Sequence, residues 1–128
     1  MRAILACVLL LIICSTGRAG GLEFPSELRG FWVGDQQTCN VLKTASPADL
    51  HDGQRWLKIA ATDILGTTQG RLLREIPAQI VLGRRVNRSF EFQIANDFGL
   101  IAQLNFSEKQ LFETMIGGRT SRYYFRCF

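Results

Sequence analysis

The sequence predicts an all-β fold, a small antiparallel barrel or sandwich of seven to eight strands with one short N-terminal helical turn. Three observations carry this. From Trp56 onward apolar residues recur mostly with a period of two, turn-forming residues separate the alternating runs, and the chain is too short for two ordinary domains.

The first segment is read as a targeting sequence. Arg2 opens it, an apolar run follows from Ala3 to Cys14, and small residues close it at Gly17-Arg18-Ala19, the arrangement of a cleaved signal peptide. A run of about 12 apolar residues falls short of the roughly 20 that cross a bilayer. Cleavage after Ala19 then leaves residues 20–128 as a single β domain without stable membrane insertion. The alternative is a lipoprotein anchored at Cys14, because Leu11-Ile12-Ile13-Cys14 loosely resembles a lipobox. The expected location is periplasmic or secreted.

Charge excludes one class of partner. The chain has 15 basic and 11 acidic residues, and Arg2 and Arg18 depart with the signal, so 13 against 11 leaves a net +2. That is not the electrostatic footprint of a nucleic-acid binder. Cys7 and Cys14 depart as well, leaving Cys39 and Cys127, which in an oxidising compartment suggest one disulfide. Two buried free thiols are the alternative.

Along the mature chain, Phe31-Trp32-Val33 is the first expected strand. Ser46-Pro47-Ala48-Asp49 then starts a short helical turn, with Ser46 as cap and Pro47 in first position. Leu57, Ile59 and Ala61 alternate with Trp56, Lys58 and Ala60. Leu72 and Ile76 alternate with Leu73 and Glu75, and Ala78 to Leu82 is a short apolar strand. Phe90, Phe92 and Ile94 form an aromatic inner face, and Leu100, Ala102, Leu104 and Phe106 form the next. Leu111 to Ile116 and Arg119 to Phe128 make a closing hairpin around Gly117-Gly118. In its last strand Ser121, Tyr123, Phe125 and Cys127 share one face, expected to point inward. Arg119, Arg122 and Arg126 form a basic outer stripe.

No constellation points to catalysis. The chain lacks a Gly-x-Ser-x-Gly elbow and a glycine-rich phosphate loop, and its single histidine, His51, sits between Asp49 and Asp52 in what reads as a solvated loop rather than a metal site. Alternation places Glu91 and Glu113 on the polar faces of their strands. The expectation is a non-enzymatic module without metal or cofactor, binding a protein or small ligand; the alternative, a hydrolase or metalloenzyme, rests on His51 alone. Its candidate contacts are the basic cluster Arg84, Arg85 and Arg88 and the N-terminal residues Leu22 and Phe24.

The run Leu28-Arg29-Gly30-Phe31-Trp32, with Cys39 seven residues after the tryptophan, resembles the opening of small exported bacterial proteins with a Leu-x-Gly-x-Trp…Cys signature. Tyr124-Phe125-Arg126-Cys127 is similar to the Arg-Cys ending of uncharacterised proteobacterial members. A related opening occurs in the periplasmic metalloprotease inhibitor family. That resemblance implies an eight-stranded lipocalin-like barrel and an extended N-terminal arm that enters a protease cleft. Residues 21–28 would be the arm, and Leu22 and Phe24 its anchors. Alternatively, the same two side chains cap an open end of the barrel. In that family the second cysteine falls in the first half of the barrel, whereas here it is Cys127.

Overall fold

The computed structural model describes residues 22–77, 80–81, 83–95, 99–107, 109–115 and 121–128. The strands are β1 (Gly30–Val33), β2 (Trp56–Ile59), β3 (Asp63–Gly66), β4 (Gly70–Ile76), β5 (Ile80–Val81), β6 (Arg84–Arg85), β7 (Arg88–Ile94), β8 (Ile101–Ser107), β9 (Gln110–Met115) and β10 (Ser121–Arg126). Eight of them close into an antiparallel barrel in the order β1-β10-β9-β8-β7-β4-β3-β2, and β5 and β6 form a separate hairpin. Closure runs through Trp32 opposite Arg126 and Val33 opposite Phe125, so the barrel sheet has no free edge.

Alternation builds the interior. Phe90 and Phe92 of β7 lie opposite Leu104 and Ala102 of β8, and all four are fully buried. Trp32, Leu57, Ile59, Ile64, Leu111 and Tyr124 complete the same core. Gly70 is required where β4 meets β7, because a Cβ there would stand 2.3 Å from the Gln93 carbonyl oxygen and 2.8 Å from the Phe92 ring. A register shift between Leu72 and Arg74 bulges β4, turns Leu73 to solvent and sets Glu75 opposite Phe90.

One end of the barrel is plugged by the chain itself. Phe24 is fully buried, its ring 5.2 Å from that of Phe90, and its N–H donates to the Ala61 carbonyl at 2.7 Å. A 3₁₀ turn at Ser26–Leu28 carries the segment across, and Trp32 Nε1 donates to the Leu28 carbonyl at 3.0 Å. Arg29 Nε donates to the Phe24 carbonyl at 2.9 Å. Arg126 lies 4.8 Å over the Trp32 ring and donates to the carbonyls of Arg29 and Glu27.

Outside the barrel, helix α1 (Gln36–Thr44) covers a second apolar cluster of Val33, Cys39 and Leu42 with Phe31, Leu50, Trp56 and Cys127 around it. Asp35 caps the helix by accepting the Thr38 N–H at 2.7 Å, a bond that holds its carboxyl below the usual range. The Cys39–Cys127 disulfide, with Cα atoms 5.5 Å apart, ties this helix to the end of β10.

Three expectations are corrected here. A nine-residue helix stands where no helix was expected, with the shorter 3₁₀ turn following at Pro47–Asp49. The last strand faces the other way: Tyr124 is buried in the core, while Tyr123 and Phe125 are partly exposed. Cys127 therefore lies in the outer cluster under α1 and not in the barrel interior. The expected strand from Ala78 to Leu82 and the Gly117-Gly118 turn fall mostly or wholly outside the described residues.

Candidate functional site at the unplugged end

Strand parity defines the site. Leu111, Tyr124 and Leu57 point into the core, so side chains two residues along, Glu113, Arg122 and Arg55, share their inward side. These lie at the end remote from the plug: Val33 pairs with Trp56 there, and Thr114 pairs with Ser121. Thr68, in the β3–β4 connection, reaches the same place.

Thr68 Oγ1 donates to the Glu113 carboxylate, with its two oxygens at 2.8 and 3.1 Å, and accepts from Arg122 Nη1 at 3.4 Å. The Arg55 guanidinium stands 5.8 Å from the Tyr124 ring centroid, and its Nη2 donates to the Tyr123 carbonyl at 3.2 Å. Glu113 is 3% exposed and Tyr124 1%, whereas Arg55 and Arg122 are half-buried. Burial raises the Glu113 pKa, against the opposing pull of the Thr68 hydroxyl and the Arg122 charge. Burial likewise pushes the Tyr124 phenol up to about 12. The Glu113 charge adds to that rise, and the Arg122 and Arg55 charges, with hydrogen bonding from Arg122, oppose it.

Hydrogen bonding here is incomplete. Tyr124 Oη and Arg55 Nε, like Thr38 Oγ1 on α1, are buried and meet no partner at full hydrogen-bond geometry among the described residues; the groups facing them are the Arg122 guanidinium beside the Tyr124 hydroxyl and the Asp35 carboxylate beside Thr38 and Arg55. The contrast within the same barrel is sharp. Ser89 donates to Asn105 Oδ1 at 2.8 Å, and Asn105 Nδ2 reaches the Phe112 carbonyl at 3.3 Å and Thr114 Oγ1 at 3.2 Å, so that buried network is closed. An unmatched buried donor costs roughly 1–3 kcal/mol. At this end, remote from the plug, both such donors lie around the Tyr124 ring, with the Glu113 carboxyl facing Tyr124 and the Asp35 carboxylate facing Arg55.

The sequence candidates are distributed differently. Leu22 is exposed, but Phe24 is the plug. Arg88 forms a bidentate pair with Glu75 at 2.7 and 3.0 Å, lies 3.5 Å from Glu27 and stacks over the Phe90 ring, so it fastens the plugged end. Arg85 is exposed and accepts Ser107 Oγ at its carbonyl, while the Arg84 side chain falls outside the described residues. The basic cluster is thus divided, and Arg88 is spoken for. The expected outer stripe is also divided: Arg122 and Arg126 turn inward at opposite ends, and Arg119 lies outside the described residues. Glu113, expected on a solvated face, is buried. His51 is exposed with its N–H on Gln54 Oε1, and Asp49 accepts the Ser46 N–H in a capping box.

Arg55 and Thr68 escaped the sequence analysis altogether, and Tyr124 entered it only as part of the chain's ending, not as a site residue. The available signal was the two-residue step from Leu111 to Glu113, which is informative only once the inward face of β9 is known. A groove of about 480 Å³ is lined by Ile64, Leu65, Gln93 and Ile94 together with Asp63 and Arg71, whose side chains pair at 3.7 Å.

The architecture is that of a closed, eight-stranded antiparallel barrel with an external helix pinned by a disulfide. No family model, curated protein or solved structure matches the chain.

Proposed function

We propose that this chain is an exported, non-enzymatic barrel module, periplasmic or secreted, that binds a small ligand at the end remote from the Phe24 plug. The observation that carries the reading is the buried Tyr124 hydroxyl, without a partner at full hydrogen-bond geometry among the described residues, in a cluster with Glu113, Arg55 and Arg122. Binding sites characteristically place a few polar groups in an apolar setting, and barrel mouths are common places for them. Export is supported by the signal-like first nineteen residues and by the disulfide. Among the described residues no helix is long and apolar enough to cross a membrane.

A protease-inhibiting arm is less well supported, because its anchor Phe24 would have to leave the core, at about 3–5 kcal/mol by analogy with Phe→Ala truncation. Carriage of an apolar ligand is disfavoured where Phe24, Phe90, Phe106 and Trp32 rings already pack at 5.2–5.9 Å.

The test is a thermal-shift screen of oxidised protein against small polar metabolites. A compound that raises the Tm of the wild type but not of Tyr124→Phe supports the reading. A screen without hits, or with hits that shift both proteins equally, rejects it.

A further inference from the structure

We infer that the groove lined by Asp63, Arg71 and Gln93 binds a free α-amino acid with an apolar side chain, its ammonium group on Asp63 and its carboxylate on Arg71. The inference uses none of the residues of the Tyr124 cluster and stands independently of the reading above.

Strand register sets the polar groups side by side. Asp63 of β3 pairs with Arg71 of β4, and Arg71 pairs with Gln93 of β7, so an acid, a base and an amide form one row across three strands. Their neighbours Ile64, Leu72 and Phe92 are buried in the core, so alternation turns the row outward. All three line the same groove of about 480 Å³, within the roughly 300–1,000 Å³ of small-ligand sites. Leu65, two residues along β3 from Asp63, is 46% exposed and adds an apolar wall.

This ion pair is open where its neighbours are closed. Arg74 grips Glu91 at 2.8 and 3.2 Å, and Arg88 grips Glu75 at 2.7 and 3.0 Å. Arg71 Nε, by contrast, stands 3.7 Å from Asp63 Oδ1, beyond hydrogen-bond distance, and both side chains are more than half exposed. Neither side chain makes a hydrogen bond among the described residues, nor do the Gln69 and Gln93 amides that line the groove with them. The fork of Arg71 and both oxygens of Asp63 are therefore free to take a ligand.

Charge and spacing choose that ligand. One carboxylate and one guanidinium line the groove, and Lys58, opposite Leu65, carries its ammonium 5.6 Å from the Phe31 ring centroid instead. A lone cation or anion would gain one partner and be repelled by the other, whereas a zwitterion meets both. In an α-amino acid the ammonium nitrogen and the carboxylate oxygens lie about 3 Å apart, close to the 3.7 Å between Asp63 and Arg71. The termini of an extended dipeptide are about 7 Å apart and reach only one of the two. An apolar side chain then lies against Leu65.

The probe is L-leucine, titrated at neutral pH into the oxidised protein and followed by amide chemical shifts. N-acetyl-L-leucine and L-leucinamide each remove one charge, and leucyl-leucine separates free amino acid from peptide. Saturable binding of L-leucine with shifts at Leu65 and Gln93, weakened about tenfold or more in all three analogues and in Asp63→Asn and Arg71→Gln but unchanged in Lys43→Gln on α1, supports the inference; loss of one charge-assisted bond accounts for that factor. Near-ultraviolet circular dichroism reports whether each variant is folded, and if either is not, the analogues on the wild type decide. The inference is overturned if L-leucine does not saturate, if the blocked compounds or the dipeptide bind as well as L-leucine, or if both folded variants keep full affinity. Binding lost in Tyr124→Phe but kept in the groove variants also overturns it and assigns the compound to the site proposed at the other cluster.

Discussion

Opening the Cys39–Cys127 bridge separates two ways in which it can stabilise the fold. The residues are 88 apart in sequence, and closing a loop of that length removes about 15 cal/mol/K of entropy from the unfolded chain, or about 4.6 kcal/mol at 25 °C. Native small domains typically lose 2–5 kcal/mol with such a bridge, which for a domain of this size lowers Tm by on the order of 10–20 °C. Cys39 is also buried beside Val33 and Leu42, and the nine-residue helix carrying it is too short to persist without packing. A Cys39→Ala/Cys127→Ala double variant, melted beside oxidised wild type with and without reductant, measures the total. Hydrogen exchange then apportions it. A purely entropic bridge leaves α1 protection in the reduced native state unchanged, whereas local fastening makes α1 exchange ahead of the barrel strands. Identical melting of oxidised and fully reduced protein would refute both accounts.

Phe24→Ala should cost about 3–5 kcal/mol in urea unfolding, because it empties the plug against Phe90; a loss below 1 kcal/mol would show the segment to be a free arm. Gly70→Ala should cost about 1–3 kcal/mol, since its Cβ meets backbone at 2.3 Å and no flexible side chain can yield the space. Glu113→Gln should raise Tm at neutral pH. The native carboxyl titrates above its ordinary 4.5, so its favourable contribution is complete below that pH and is lost as pH rises through the native pKa; the gain of the Gln variant should therefore vanish toward pH 4, and a gain that grows on acidification would contradict the sign.

The barrel was legible where one face of a strand is apolar and the other polar. Phe90, Phe92 and Ile94 alternate with Ser89, Glu91 and Gln93, so period alone orients β7, and Ala102, Leu104 and Phe106 orient β8 in the same way. In β10, by contrast, Tyr123, Tyr124 and Phe125 are successive aromatics, so periodicity cannot choose a face. The choice follows from a tertiary pairing, Val33 opposite Phe125, which puts Phe125 on the outer side with Val33. Placing Cys127 inward reversed that strand and with it Arg122 and Tyr124. The signal for α1 was present in Asp35 as a cap and in Cys39 and Leu42 three residues apart, but with only nine residues the period is short. A buried glutamate has no local signature at all, because what buries Glu113 is the closure of β9 against β10 and the approach of Thr68 from the far side of the barrel.

The plugged and unplugged ends treat polar groups in opposite ways, and Tyr124→Phe exploits the difference. Around the plug, Trp32 Nε1, Arg29 Nε and the Phe24 N–H each find a carbonyl, so removing any of these donors leaves an acceptor unsatisfied. Tyr124 Oη has no partner at full hydrogen-bond geometry among the described residues, only the nearby Arg122 guanidinium, which keeps its contact with Thr68, so deleting the hydroxyl keeps the ring in the core and removes the hydroxyl's desolvation cost. The Phe variant should therefore be as stable as the wild type or more stable by up to about 1–3 kcal/mol in urea unfolding without ligand. A residue selected only for packing would show no further effect. A residue kept for binding at the expense of stability shows the opposite pair of changes, higher Tm and weaker affinity for the compound found in the thermal-shift screen, in the same protein. If Tyr124→Phe instead loses more than about 1 kcal/mol, on the scale of a broken hydrogen bond, the hydroxyl is satisfied in the folded protein and the case for a site at this end fails with it.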